Sequence, residues 1–287
     1  MVHHQPKEQN ICLTAVTKSS QNLPSILIKE ISQLYHELSG LSSLSPNEHV
    51  NALFTKLVQL SVFSYDQDTI QQVLMHPSIV SITPALRSLA SQGEYLLELY
   101  WAKDLATRNC KLERFVYYKN YKDLVQLEMH SLLGIGASLN RVVFIGSGPL
   151  PLSSILMYQA YPQACIHNVD RDSHSISISN QLLNKLKVKI EQYHMDALDY
   201  PHFDQVDIVI LAALVGLDAI EKMKFLKVIG SKMKQGSILM VRSAHSFRRL
   251  LYPSLDPFEV NSCGFETMFV LHPHNDVVNS ILIAKKL

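Results

Sequence analysis

Along the first half of the chain apolar side chains recur at helical spacing. Ile26, Ile28, Ile31, Leu34, Tyr35 and Leu38 form one stripe, and Val50, Leu53, Phe54, Leu57 and Leu60 a second. Pro24 suits a first helical turn and Gly40 a helix stop. Ser45-Pro46-Asn47-Glu48 predicts another helix start, with Pro46 at its first position. Longer helices are expected over 82–106 and 117–133, so this half reads as all-helical.

After Gly134-Ile135-Gly136 the texture changes to short β-branched runs at 142–145, 164–169, 206–211 and 237–241, separated by helical stretches. Strands alternating with helices predict an α/β unit with a mainly parallel, doubly wound, Rossmann-like sheet. The last two runs, 267–271 and 277–283, have no helix between them and predict an antiparallel closing hairpin. The expected division is a helical domain over 1–136 and a ligand-binding α/β domain over 137–287.

The sharpest local signal is Val143-Phe144-Ile145-Gly146-Ser147-Gly148, an apolar strand running directly into a glycine turn. Glycine there lets backbone amides approach a ligand at the carboxyl edge of the sheet. Asp170, twenty-four residues after Gly146, ends the second predicted strand, where a carboxylate can accept hydrogen bonds from both ribose hydroxyls. A bare helix cap is the alternative for Asp170. Pro149 and Pro151 stand where a dinucleotide fingerprint needs room for pyrophosphate. They count against a nicotinamide dinucleotide and favour S-adenosylmethionine, which carries no phosphate. Asp196, in Tyr193-His194-Met195-Asp196, is a candidate adenine contact, with an ordinary loop role as its alternative.

Composition narrows the partners. Among 287 residues, 26 Lys and Arg against 25 Asp and Glu leave a net charge of +1, which gives no electrostatic case for nucleic acid or an anionic membrane. The polar start Met1-Val2-His3-His4 does not read as a secretory signal, and the longest apolar run, 208–217, is too short to span a bilayer. A cytoplasmic protein acting on a small molecule is expected. Cys12, Cys110, Cys165 and Cys263 are scattered with no CxxC pair, and His272-Pro273-His274 and His3-His4 lack acidic partners. No disulfide framework, zinc site or catalytic metal is therefore expected.

Several strings carry more than a fold: Phe144-Ile145-Gly146-Ser147-Gly148-Pro149-Leu150-Pro151-Leu152, Leu211-Ala212-Ala213-Leu214-Val215-Gly216, Arg242-Ser243-Ala244-His245 and Asn275-Asp276-Val277-Val278-Asn279-Ser280. Together with Phe115-Val116-Tyr117-Tyr118-Lys119-Asn120-Tyr121, they closely resemble the nicotianamine synthase family. The resemblance implies a helical domain laid over a Rossmann-like one, with a cavity between. It also implies transfer of the 3-amino-3-carboxypropyl group of S-adenosylmethionine to an amine, with release of methylthioadenosine. Plant-type members repeat the transfer to build the metal chelator nicotianamine. Bacterial relatives make a single transfer, often to histidine, toward opine-type metallophores. An ordinary methyltransferase is the other enzymatic possibility, and a homodimer is left open.

The chemistry needs an unprotonated amine in line with the aminopropyl carbon, and a group to take its proton. Glu94 and Glu98 lie one helical turn apart and point the same way. Two solvated glutamates on an amphipathic helix are the alternative, but the resemblance places Glu94 as proton acceptor and Glu98 beside the substrate. It likewise implies that Tyr118 and Tyr121 act in the cavity, that Tyr117 and Asn120 contact substrate, and that Gly146, Ser147, Gly148, Pro149, Asp170, Asp196 and Ala212 hold S-adenosylmethionine. Without it, the tyrosines would read as aromatic packing. Arg242 and His245 follow a predicted strand, where Arg242 could grip a substrate carboxylate in bidentate fashion or pair structurally with an acid such as Asp207. Glu128 is a further cavity candidate.

Overall fold

In the computed structural model, residues 23–108, 110–216 and 218–287 are described. His3-His4 and Cys12 lie outside them. Five helices come first: α1 (Leu23–Ser39), α2 (Glu48–Val62), α3 (Gln67–Leu74), α4 (Pro77–Thr107) and α5 (Tyr118–Gly134). Then follow β1 (Arg141–Ile145), α6 (Leu152–Ala160), β2 (Cys165–Asp170), α7 (Ser173–Leu186), β3 (Glu191–His194), β4 (Ile208–Leu211), α8 (Ala219–Lys232), β5 (Ile238–Ser243), α9 (Pro257–Asn261), β6 (Phe265–Leu271) and β7 (Ser280–Lys286). Among the described residues, no helix is long and apolar enough to cross a membrane.

Two helical expectations change. α2 begins at Glu48, because the Asn47 side chain accepts from Val50 N at 3.0 Å and so caps it; Pro46, which has no such acceptor, lies before the helix. α4 starts at Pro77, not near 82, and runs unbroken through Pro84. The short helix α3, capped by Asp66, has no counterpart in the sequence reading.

The sheet has seven strands in the order β3-β2-β1-β4-β5-β7-β6. Neighbours from β3 to β5 are parallel, while β7 pairs antiparallel with both β5 and β6, as the closing hairpin requires. Alternation decides the two faces: Val142 and Phe144 enter the core under α5, α6 and α7, and Val143 and Ile145 the core under α8. The register sets Ile145 against Val169 and Leu211, so Gly146, Asp170 and Ala212 emerge together at the carboxyl edge. That edge lies where the strand order reverses around β1, the usual ligand position in such sheets.

The helices share their cores with the sheet half. Ala102, Leu105, Val125, Met129 and Leu132 pack with β1 and α6, whereas α1, α2, α3 and the start of α4 close over Phe247, Leu250 and Leu251. This second contact carries the segment after β5 back beneath the helices, a placement that matters for the site.

Candidate active site

The glycine turn after β1 adopts the backbone that only glycine tolerates well. Gly146 and Gly148 have φ of +78° and +67°, and a Cβ on Gly146 would lie 2.4 Å from Val215 Cγ2. Asp170 holds the turn: its Oδ2 accepts from Gly148 N at 2.8 Å, and its Oδ1 from Asp172 N at 2.9 Å. Asp172 caps α7 and also accepts from the Tyr95 hydroxyl at 3.0 Å, which fastens α4 to the sheet edge. Around this turn opens a cavity of about 590 Å³, lined by Gly146, Ser147, Gly148, Pro149, Asp170, Asp196 and Ala212 among others. Asp196 also caps a short 3-10 turn, accepting from Leu198 N at 2.8 Å.

A second chamber of about 360 Å³ lies among the helices, walled by Phe54, Leu97, Tyr117, Asn120, Leu251, Tyr252 and Val278. Glu94, Glu98, Tyr121 and Asn279 line both chambers. At this junction the Tyr121 hydroxyl donates to Glu98 Oε1 at 2.7 Å and lies 3.4 Å from Glu94 Oε1, while Tyr252 donates to Glu94 Oε2 at 2.6 Å. Ser147 Oγ and Asn279 Nδ2 are buried polar atoms without a protein partner.

Burial governs the electrostatics of the junction. It pushes the Glu94 carboxyl upward against the Tyr252 and Tyr121 hydrogen bonds and the Arg242 charge, which pull it down. Glu98 is driven well above the ordinary range by burial and then by the neighbouring Glu94. Burial and the same carboxylates raise Tyr121 and Tyr252, so both phenols stay protonated donors. A carboxyl pair desolvated in this way is a better base than one in water.

The profile of the nicotianamine synthase proteins matches residues 20–287. The chain belongs to the nicotianamine synthase family. It is 34% identical to nicotianamine synthase 2 of Arabidopsis thaliana over 91% of this chain and 84% of that protein. It is 36% identical to nicotianamine synthase 9 of Hordeum vulgare over 91% of this chain and 78% of that one. The crystal structure of MtNAS in complex with MTA and tNA superposes with a TM-score of 0.78 at 20% identity, covering 92% of this chain and 97% of that one. A mutant of MtNAS in complex with S-adenosylmethionine superposes with a TM-score of 0.77 at 21% identity, covering 91% and 98%. The helical half and the seven-stranded sheet are thus the fold of nicotianamine synthases.

Three residues named from the sequence fall elsewhere. Tyr118 lines neither chamber; it starts α5 facing away and packs, partly buried, against the core beneath that helix. His245 also lines neither, its Nδ1 engaged 2.8 Å from Ser280 Oγ and its ring 4.6 Å from that of His272. Arg242 does line the first chamber, but its bidentate grip goes to Glu128, with Nε 2.7 Å from Oε1 and Nη2 3.0 Å from Oε2. Glu128 is fully buried and lines neither chamber, and Asp207 instead pairs with Lys234 at 2.7 Å. Asn120 both lines the second chamber and donates to Asp276 O at 3.1 Å, joining two of the strings that carry the family resemblance.

Tyr252 and Lys222 carry no sequence motif. Tyr252 reaches Glu94 across 158 positions, a contact that packing of Leu250 and Leu251 under the helices makes possible. Lys222, fully buried, donates to Ala213 O at 2.7 Å and steadies the loop after β4. The sequence reading expects no metal site, and one cluster of potential ligand side chains stands apart from the chambers. Cys165 and His167 share one face of β2 and meet Glu191 on β3, so three potential ligand atoms lie within 4.8 Å of one another, at the sheet end away from the chambers.

Proposed function

We propose that the chain transfers the 3-amino-3-carboxypropyl group of S-adenosylmethionine to a small-molecule amine and so makes nicotianamine. The observation that carries this reading is the junction itself: Glu94 and Glu98 face both chambers at once. The donor fits the first chamber, with its ribose toward Asp170, its adenine toward Asp196 and Ala212, and its sulfonium side against Gly146-Ser147-Gly148. A volume of about 590 Å³ suits a ligand of that size. The amine enters from the second chamber, past Tyr117 and Asn120.

In this arrangement Glu94 accepts the amine proton. The amine nitrogen bonds to the aminopropyl methylene, the carbon–sulfur bond breaks, and its electron pair returns to sulfur, leaving methylthioadenosine. Tyr252 and Tyr121 keep the carboxylates oriented, and Arg242, anchored by Glu128, supplies a fixed positive charge beside them. The buried Nδ2 of Asn279 offers a donor where the two substrates meet.

A cytoplasmic site of action agrees with the free thiols of Cys110, Cys165 and Cys263. The product, a metal chelator, would act as a metallophore. The test is incubation with S-adenosylmethionine alone: methylthioadenosine and a product of nicotianamine mass are expected. Release of S-adenosylhomocysteine, or turnover only when histidine is added, would overturn the reading.

A further inference from the structure

We infer that Cys165, His167 and Glu191 form a binding site for a zinc-class divalent ion, separate from the catalytic chambers. The three come from adjacent parallel strands. Cys165 and His167 are two positions apart on β2, hence on one face of the sheet, and the register sets His167 directly opposite Glu191 on β3. His167 Nε2 lies 3.3 Å from Cys165 Sγ and 3.6 Å from Glu191 Oε2. Ligand atoms around a tetrahedral zinc ion are separated by roughly 3.3–3.6 Å, given metal–ligand bonds of about 2.0–2.3 Å. The free side chains therefore already stand near the spacing a bound ion would impose.

The surroundings hold the ligands in place. The second imidazole nitrogen, Nδ1, is 2.5 Å from the hydroxyl of the buried Tyr200, which leaves Nε2 turned toward Cys165 and Glu191. Metal-binding histidines characteristically have their other nitrogen fixed in this manner. The rings of Tyr193, Tyr200 and His202 enclose His167, with centroids 5.1, 6.0 and 6.2 Å away. Tyr193 also donates to Glu191 Oε2 at 3.0 Å and restrains that carboxylate. Cys165 and Glu191 are exposed, so an ion enters directly from solvent and a water completes its coordination.

The ligand set decides the class of ion. A thiolate with an imidazole selects zinc and its neighbours in the transition series over magnesium or calcium, which prefer oxygen alone. On binding, the Cys165 thiol releases its proton to solvent. The site lies in the first half of β2, with Cys165 roughly 17 Å and His167 roughly 10 Å along the strand from Asp170 at 3.3 Å per residue. It therefore takes no part in holding the donor.

The experiment uses the full chain, stripped with a chelator and titrated with Co²⁺ and then Zn²⁺. A near-ultraviolet thiolate-to-cobalt absorption with the visible bands of tetrahedral cobalt is expected, saturating at stoichiometric metal and abolished by zinc. Cys165→Ser should remove the thiolate band, and Cys110→Ser should keep it. Tyr200→Phe should keep the band while weakening zinc binding about 10-fold. Histidine clusters elsewhere can bind cobalt but cannot produce a sulfur band. The absence of that band in the wild type, its survival in Cys165→Ser, or zinc affinity unaltered by His167→Ala would each overturn the site.

Discussion

The Tyr252 hydroxyl lies 2.6 Å from Glu94 Oε2, so a residue from the segment after β5 supports a carboxylate on helix α4. Tyr121 supports the same pair from α5. Two protonated phenols thus meet two desolvated carboxyls at the one place where both chambers open.

Tyr252→Phe removes a hydrogen bond that lowers the Glu94 pKa, so the acid limb of the pH–rate profile should move to higher pH. The loss of a bond to a charged group, worth about 1.5–3 kcal/mol, should reduce the neutral-pH rate about 10-fold or more. A limb that stays in place would show that Glu94 does not set it.

Glu94→Gln should lower the rate of methylthioadenosine release by about 100-fold or more, the contribution expected of a general base. Affinity for S-adenosylmethionine, followed by calorimetry, should change little. Glu98→Gln should retain more activity and leave the acid limb in place, because the Glu98 carboxyl, raised well above the ordinary range by burial and by Glu94, is already neutral where Glu94 titrates. Equal turnover by Glu94→Gln and the wild type would remove Glu94 from the chemistry.

Glu128→Gln leaves the Arg242 guanidinium buried with a neutral partner. Breaking a buried pair of this kind costs about 3–5 kcal/mol, which corresponds to roughly 10 °C in Tm for a chain of this size. Scanning calorimetry should show that fall, and a change under about 2 °C would mean that Ser153, 2.8 Å from Nη2, suffices as a partner.

Lys222 gives a pH signature of its own. Burial, followed by the Arg87 charge, depresses it to about 7, whereas in the unfolded chain it titrates near 10.4. Between these values the unfolded state holds the extra proton, so this residue makes stability rise with pH. Below about 7 both states are protonated and the cost of burying the charge stands in full. The Tm difference between wild type and Lys222→Met should therefore increase from pH 7 to 10, and a flat difference would place the ammonium in contact with solvent.

The pattern of apolar positions located most of the helices and strands, because their faces have to be buried whatever the topology, but it missed the short helix α3 and the polar strand β3. It also located Gly146, Gly148 and Asp170, since a glycine turn and an acid at two neighbouring strand ends are local requirements of one sheet edge. The pair Glu94 and Glu98 was legible because helical periodicity alone sets both on one face. The change of texture at residue 136 was legible too, but packing crosses it, with Phe247, Leu250 and Leu251 seated among the first helices. Tertiary structure alone decided the partners. Tyr252 reaches Glu94, Arg242 turns to Glu128, Tyr118 and His245 face away from the chambers, and Cys165 and His167 acquire Glu191 from the next strand. Each of these pairings depends on the relative placement of elements distant in sequence. Local patterning specifies the face an element buries, and the final packing specifies what that face meets.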